Sequence, residues 1–272
     1  MKKTFAKFIV AAAVAGVVFT SGLASARDKD PIFEMRRTLF MAFGQHNVTL
    51  EAPVGMCFLD ESQYLEGMMV NHLRKMARKS SSSHVMAIFA DCDELAKFVK
   101  MPEIIASQPD IGGGLPEPQA EFTYTGAVSW LKPKLGRAPM GLQEYLDMRE
   151  PDYRDDIVHE IADSYDAMNE KQELNFGEGV SVNMFSPSPD KYKIDEKPHR
   201  SQSGVSLGFT AEFEVEYQKR RVTGVIGTTM LRKFPVQISL GSNVTGKAKG
   251  RAIGKLQKTL DDMMAQVSKL NP

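Results

Sequence analysis

The chain has 272 residues, 42% of them hydrophobic, with 34 basic and 34 acidic side chains. That length supports a real hydrophobic core, as one large domain or two small ones. The balanced charge argues against a general nucleic-acid binder, and no nucleic-acid partner is expected.

The first 26 residues carry the three parts of a secretory signal peptide in order. Lys2, Lys3 and Lys7 are the basic start, Phe8 to Thr20 is an uncharged run of 13 residues, and Ala24-Ser25-Ala26 is a small-x-small cleavage site. The run is short of the roughly 20 residues a membrane helix needs. Cleavage after Ala26 leaves residues 27–272 as a single mature domain of 246 residues, with net charge −3 and no membrane span. The signal has a bacterial form, so the expected compartment is the periplasm.

Residues 27–45 are mixed, with Phe33, Met35, Leu39, Phe40 and Phe43 expected to pack. HNVTLEAP, from His46, alternates like a strand and stops at proline. MCFLD, from Met56, is a short apolar strand. ESQYLEGMMVNHLRKMARK follows as a helix whose stripe is Tyr64, Leu65, Met68, Met69, His72, Leu73 and Met76. HVMAIFADC is a buried-type strand and DELAKFVK a short helix. Residues 107–119 hold three glycines and three prolines and read as a loop.

AEFTYTGAVSWLKP is a strand containing the chain's one tryptophan, Trp130. GLQEYLDMRE and PDYRDDIVHEIADSYDAMNE read as two helices broken at Pro151, a residue suited to the first helical position. Residues 186–203 read as a second long loop. VSLGFTAEFEVEYQ alternates as a strand, KRR makes a basic turn, and VTGVIGTTML and FPVQISL continue the meander. A closing helix is expected from about Thr245. The order of elements predicts an α+β fold, a mostly antiparallel sheet packed against helices.

Cys57 and Cys92 are the two cysteines. In an oxidising compartment an even pair reads as a disulfide. Both follow or end short apolar strands joined by a helix, and parallel pairing of those strands is expected to bring the two ends together. A reactive thiol pair or a pair of metal ligands is the alternative; C-x-x-C spacing and a nearby histidine cluster are both missing from the sequence.

LEAPVGMCFLD, AIFADCDELAKF and the closing VTGVIGTTMLRKFPVQISL with its helix resemble uncharacterised exported bacterial proteins of PsbP-like architecture. These pieces cover about half of the mature chain. The resemblance implies the same disulfide-linked pair and a fold that hosts binding and accessory roles more than chemistry. The chain departs from that pattern after its last strand: LGSNVTGKAKG stands where a tyrosine-containing segment is expected.

Gly241, Gly246 and Lys247 have the spacing of a phosphate loop. Ala248 lacks the hydroxyl that binds magnesium, and the preceding strand belongs to an antiparallel meander, so the reading adopted is a turn capped by Asn243 or Thr245. No cofactor is expected. Gly246, Gly250 and Gly254 fall one helical turn apart and suggest a close approach to a neighbouring element. Met68, His72 and Met76 are one turn apart on a helix, which raises soft-metal handling, copper in particular, against simple core packing. No nucleophile-elbow, zincin or Cys-His signature is present, and the acid pair Asp155/Asp156 beside His159 reads as exposed charge.

Charge segregates along the chain. Lys219 to Lys258 holds ten basic residues and no acid, whereas Glu144 to Glu173 holds eleven acids and three bases. Lys219, Arg220, Arg221, Lys247, Lys249 and Arg251 are the candidate binding residues, for an anionic envelope component or a protein partner. The alternative is that the two segments face each other or are ordinary solvated faces. The expected function is a non-catalytic periplasmic binding or accessory protein. A hydrolase with a scattered site is the second reading and copper handling the third.

Overall fold

The computed structural model describes residues 36–43, 45–79, 83–100, 122–131, 141–168, 172–175, 181–184, 191–215, 218–242 and 249–271. The signal-peptide segment, the 107–119 loop, and Asn243, Thr245, Gly246 and Lys247 lie outside the described residues, as do Phe33 and Met35.

The chain opens with a hairpin, β1 (Thr38–Phe43) and β2 (His46–Glu51). Then come β3 (Met56–Phe58), α1 (Tyr64–Lys79), β4 (Ser83–Asp91), α2 (Cys92–Val99) and β5 (Tyr124–Leu131). α3 (Leu142–Met168) leads into a small pair, β6 (Gln172–Asn175) and β7 (Ser181–Met184). β8 (Lys191–Ile194), β9 (His199–Arg200), β10 (Val205–Val215), β11 (Gln218–Leu231) and β12 (Phe234–Ser242) follow, and α4 (Lys249–Leu270) closes the chain. The fold is α+β. Its main sheet runs β3-β4-β5-β12-β11-β10-β8, with β9 beside β10, and every described pairing in it is antiparallel.

Both faces of the sheet are covered, so its central strands are apolar on both sides, as at Val225 and Ile226 of β11. One face packs under α1, α2 and α3, with Val70, Leu95, Phe98, Leu146, Tyr153 and Ile157. The other packs under α4 and the β1–β2 hairpin, with Val48, Leu50, Leu260, Met263 and Val267. Gly126 of β5 lies directly opposite Phe89 of β4, and a Cβ there would overlap the Phe89 ring.

Several expectations need correction. The strands flanking the cysteines are antiparallel, with Cys57 opposite Ala90. The start of β3 thereby meets the end of β4, and the Cα atoms of Cys57 and Cys92 come within 5.0 Å in the disulfide. KRR is no turn: Lys219, Arg220 and Arg221 belong to β11, opposite Glu214, Phe213 and Glu212. The hairpin pairing thus runs on through these three positions, with the Arg221 and Glu212 side chains in an ion pair. The 186–203 segment contains β8 and β9, both held by main-chain pairing to β10.

Pro151 lies inside one continuous helix, α3. Leu146 before it and Tyr153 and Ile157 after it share one buried face, and that packing outweighs the missing hydrogen bond. Phe40 is 76% exposed. On α1, Tyr64 is 65% exposed, and Glu66 is fully buried beside Val70. The helix is therefore rotated from the apolar stripe toward Glu66, which is paired with Arg36.

Gly254 is exposed, with nothing within 4 Å of a Cβ built there, so it makes no close approach.

Candidate functional site

Register decides which cations share a surface. β10 and β11 pair out to Val215 opposite Gln218, so Lys219, Arg220 and Arg221 stand at the end of a long ribbon. Glu212 is opposite Arg221 on one side and Lys191 of β8 on the other. Arg221 Nη2 forms an ion pair with Glu212 Oε1. Both side chains are about one-third exposed, 36% and 34%, so the pair contributes little to stability.

β12 ends at the same place, with Ser242 opposite Thr223 and opposite Tyr124, the first residue of β5. Six residues lie between Ser242 and Lys249, so the two are at most about 25 Å apart. The first turns of α4 remain near this end, because Lys255 Nζ lies 5.5 Å from the centre of the Tyr124 ring, a cation–π contact. The backbone thus brings Lys219, Arg220 and Arg221 to the sheet end from which Lys249 and Arg251 depart. The side chains of Lys219, Arg220, Lys249 and Arg251 lie outside the described residues, as does all of Lys247.

The ten-cation run is not one face. Arg232 and Lys233 sit at the β11–β12 turn, roughly 35 Å along the strand from Arg221 at about 3.3 Å per residue. Four of the described acids of α3 are paired with other cations. Arg149 pairs with Asp156, Arg154 with Asp155, and Arg200 with Asp147 and Glu150.

Beneath α3 the polar groups brace the fold. The Tyr153 hydroxyl donates to the Ile226 carbonyl at 3.1 Å and accepts from Thr228 Oγ1 at 3.2 Å. Arg149 lies 5.7 Å from the Tyr153 ring centre. Burial pushes the Tyr145 hydroxyl above its ordinary pKa.

One serine, one histidine and one aspartate do meet on the α4 face, a grouping the sequence reading missed. His199 Nε2 lies 3.1 Å from Asp261 Oδ2. Ser206, directly opposite His199 in register, donates from Oγ to the His199 main-chain carbonyl at 3.4 Å and accepts from Gln257 Nε2 at 2.5 Å. A triad needs the hydroxyl on the imidazole and open to substrate. Here the hydroxyl is buried and bonded to the backbone, so the three side chains do not have triad geometry. Seeing it in the sequence required recognising β9.

The cysteine pair has a structural environment. Cys57 is fully buried, and Cys92 opens α2 with Asp91 as its cap, accepting from the N–H groups of Asp93 and Glu94. Among the described residues no three His, Cys, Asp or Glu side chains are grouped to hold a metal ion. The side chains of His72 and Met76 lie outside the described residues. Gly241 is a strand residue, opposite Thr125 and Gly224, so it does not open a phosphate loop. No described helix is long and apolar enough to cross a membrane.

The structure is an antiparallel α+β fold stapled by a disulfide, with Lys219, Arg220 and Arg221 at one end of the sheet opposite Glu214, Phe213 and Glu212. The chain matches no protein-family model and no curated protein. It is similar to a solved structure of a point mutant of the protein Mog1, over 86% of this chain and 92% of that one, at 11% identity and a TM-score of 0.31. That score is too low to carry a functional comparison.

Proposed function

We propose that the protein is an exported, non-catalytic binding or accessory module of the bacterial envelope, of PsbP-like architecture and working in the periplasm. The end of the sheet formed by the β10–β11 hairpin and the entry to α4 engages an anionic partner there. One observation supports the reading: strand register puts Lys219, Arg220 and Arg221 at the end of the sheet where β12 stops at Ser242. The disulfide supports an oxidising compartment. The signal sequence supports export.

The surface is tested by ion exchange at neutral pH. A protein of net charge −3 binds a sulfonate resin only if its cations are concentrated on one surface. Neutralising Lys247, Lys249 and Arg251 to serine is expected to lower the salt needed for elution well below that of the native chain. Identical elution of the two proteins contradicts the reading, and recovery of the native chain from the cytoplasmic fraction contradicts the location.

A further inference from the structure

The opposite end of the sheet carries a second surface of different chemistry. Phe43, at the tip of β1, meets the Trp130 ring edge-on at 5.4 Å and the Phe234 ring edge-on at 5.2 Å. His46 lies 6.3 Å from Phe234. All three aromatic rings are half-buried, and His46 is exposed. His84 is exposed and directly opposite Trp130 in register. Arg232 and Lys233, both exposed, immediately precede Phe234. None of these residues is acidic. The aromatic floor is thus rimmed by two permanent cations and two histidines.

The turn itself is strained. Leu231 pairs with Phe234, so Arg232 and Lys233 form a two-residue hairpin turn. Arg232 has φ 57°, and among the described residues no other non-glycine has a positive φ. Lys233 keeps a negative φ, so Arg232 holds the position where glycine is favoured in this kind of turn. A left-handed arginine persists at a cost that glycine avoids, and strain of this kind marks functional surfaces.

We infer that this end, built from the β1–β2 tip, the end of β5 and the β11–β12 turn, docks an acidic segment of a protein partner. Aromatic rings flanked by arginine are the composition of interface hot spots. The acid-free cationic rim selects carboxylates by charge, and an apolar side chain between them covers the ring cluster. A lipid surface fits less well. The rings are half-buried, and the exposed Phe40 falls three residues from Phe43, on the other face of β1 by strand alternation.

This inference does not depend on the hairpin-end surface proposed above. Trp130 is the chain's one tryptophan and lies within the patch, so its emission reports occupancy. The probe is a synthetic peptide of repeating Asp-Asp-Leu, titrated into the purified full-length chain. A saturable shift in Trp130 emission is expected. Affinity should fall at least tenfold in an Arg232→Ser/Lys233→Ser variant and be unchanged in Lys249→Ser/Arg251→Ser. Arg232→Gly should raise the thermal midpoint while weakening the peptide at least fivefold. No saturable shift, or equal affinity in the Arg232→Ser/Lys233→Ser variant, overturns the proposal. So does a lowered midpoint with unchanged affinity in Arg232→Gly, which assigns the arginine to the turn alone. A Trp130 shift with phosphatidylglycerol vesicles but not with peptide replaces the occupant by a lipid surface. A shift on concentrating the protein by itself replaces it by a second copy of the chain. Either result overturns the inference.

Discussion

Arg36 Nη1 donates to both carboxylate oxygens of Glu66, at 2.8 and 3.0 Å, although Glu66 is fully buried in the first turn of α1. The Asp60 main-chain N–H adds a third bond to Glu66 at 2.7 Å. The strand that opens the described chain is thereby tied to the β3–α1 connection, and α1 is turned to bring Glu66 inward.

Removing one partner of a buried pair leaves the other uncompensated. Glu66→Ala is expected to destabilise the fold by about 3 kcal/mol, read as a lowered urea midpoint. Glu66→Gln keeps an acceptor and should cost less. A midpoint unchanged by Glu66→Ala contradicts the latch.

The disulfide closes a separation of 35 residues. On the chain-entropy model its removal costs about 4 kcal/mol. Cys57→Ala/Cys92→Ala should therefore unfold at much lower denaturant than the oxidised native chain. The same midpoint for both proteins contradicts a structural role.

Gly254 occupies an exposed position of α4 with open space where a side chain would go. Gly254→Ala is expected to stabilise by about 1 kcal/mol, the difference in helix propensity. Calorimetry should show a higher thermal midpoint. A lower one means that the position carries a contact.

Two carboxylates bend the pH profile in opposite senses. Burial pushes the Glu94 carboxyl above its ordinary value near 4.5, against the hydrogen bonds from Thr123. The folded state then holds a proton that the unfolded chain releases, so stability falls as pH rises above that value. Asp60 is lowered from 3.8, first by the Ser62 hydroxyl and then by the Ser62 N–H. Its contribution is present above that value and is lost as pH falls through the folded pKa. Glu94→Gln should flatten the decline above pH 4.5 and Asp60→Asn the loss at acid pH, in unfolding curves taken across both ranges. A profile unchanged by Glu94→Gln contradicts the raised carboxyl.

The parts of the fold that were legible in the sequence are those with regular local patterns. Alternation of Phe213, Val215 and Tyr217 with Glu212, Glu214 and Glu216 announced β10, and the spacing of Ile253, Leu256, Leu260, Met263, Met264, Val267 and Leu270 announced α4. The cysteine pair was legible from the even cysteine count and the compartment the sequence predicts. Its geometry was not, because antiparallel pairing across α1 depends on tertiary register. Lys219, Arg220 and Arg221 read as a turn because their strand partners, Glu212, Phe213 and Glu214, lie five to nine residues away in sequence and become neighbours only through the hairpin register. Pro151 read as a break because the packing of Leu146, Tyr153 and Ile157 that overrides it is visible only against the sheet. Glu66 was unreadable, since its partner Arg36 lies 30 residues upstream. The cationic run was legible as composition, and its division between two ends of the sheet was not.

Capture of envelope proteins by the native chain and by Lys247→Ser/Lys249→Ser/Arg251→Ser, run side by side, tests the hairpin-end surface most directly. The account predicts that the native chain retains a partner that the variant loses, and that added salt releases it. Recovery of the same partners in the same amounts by both proteins contradicts it.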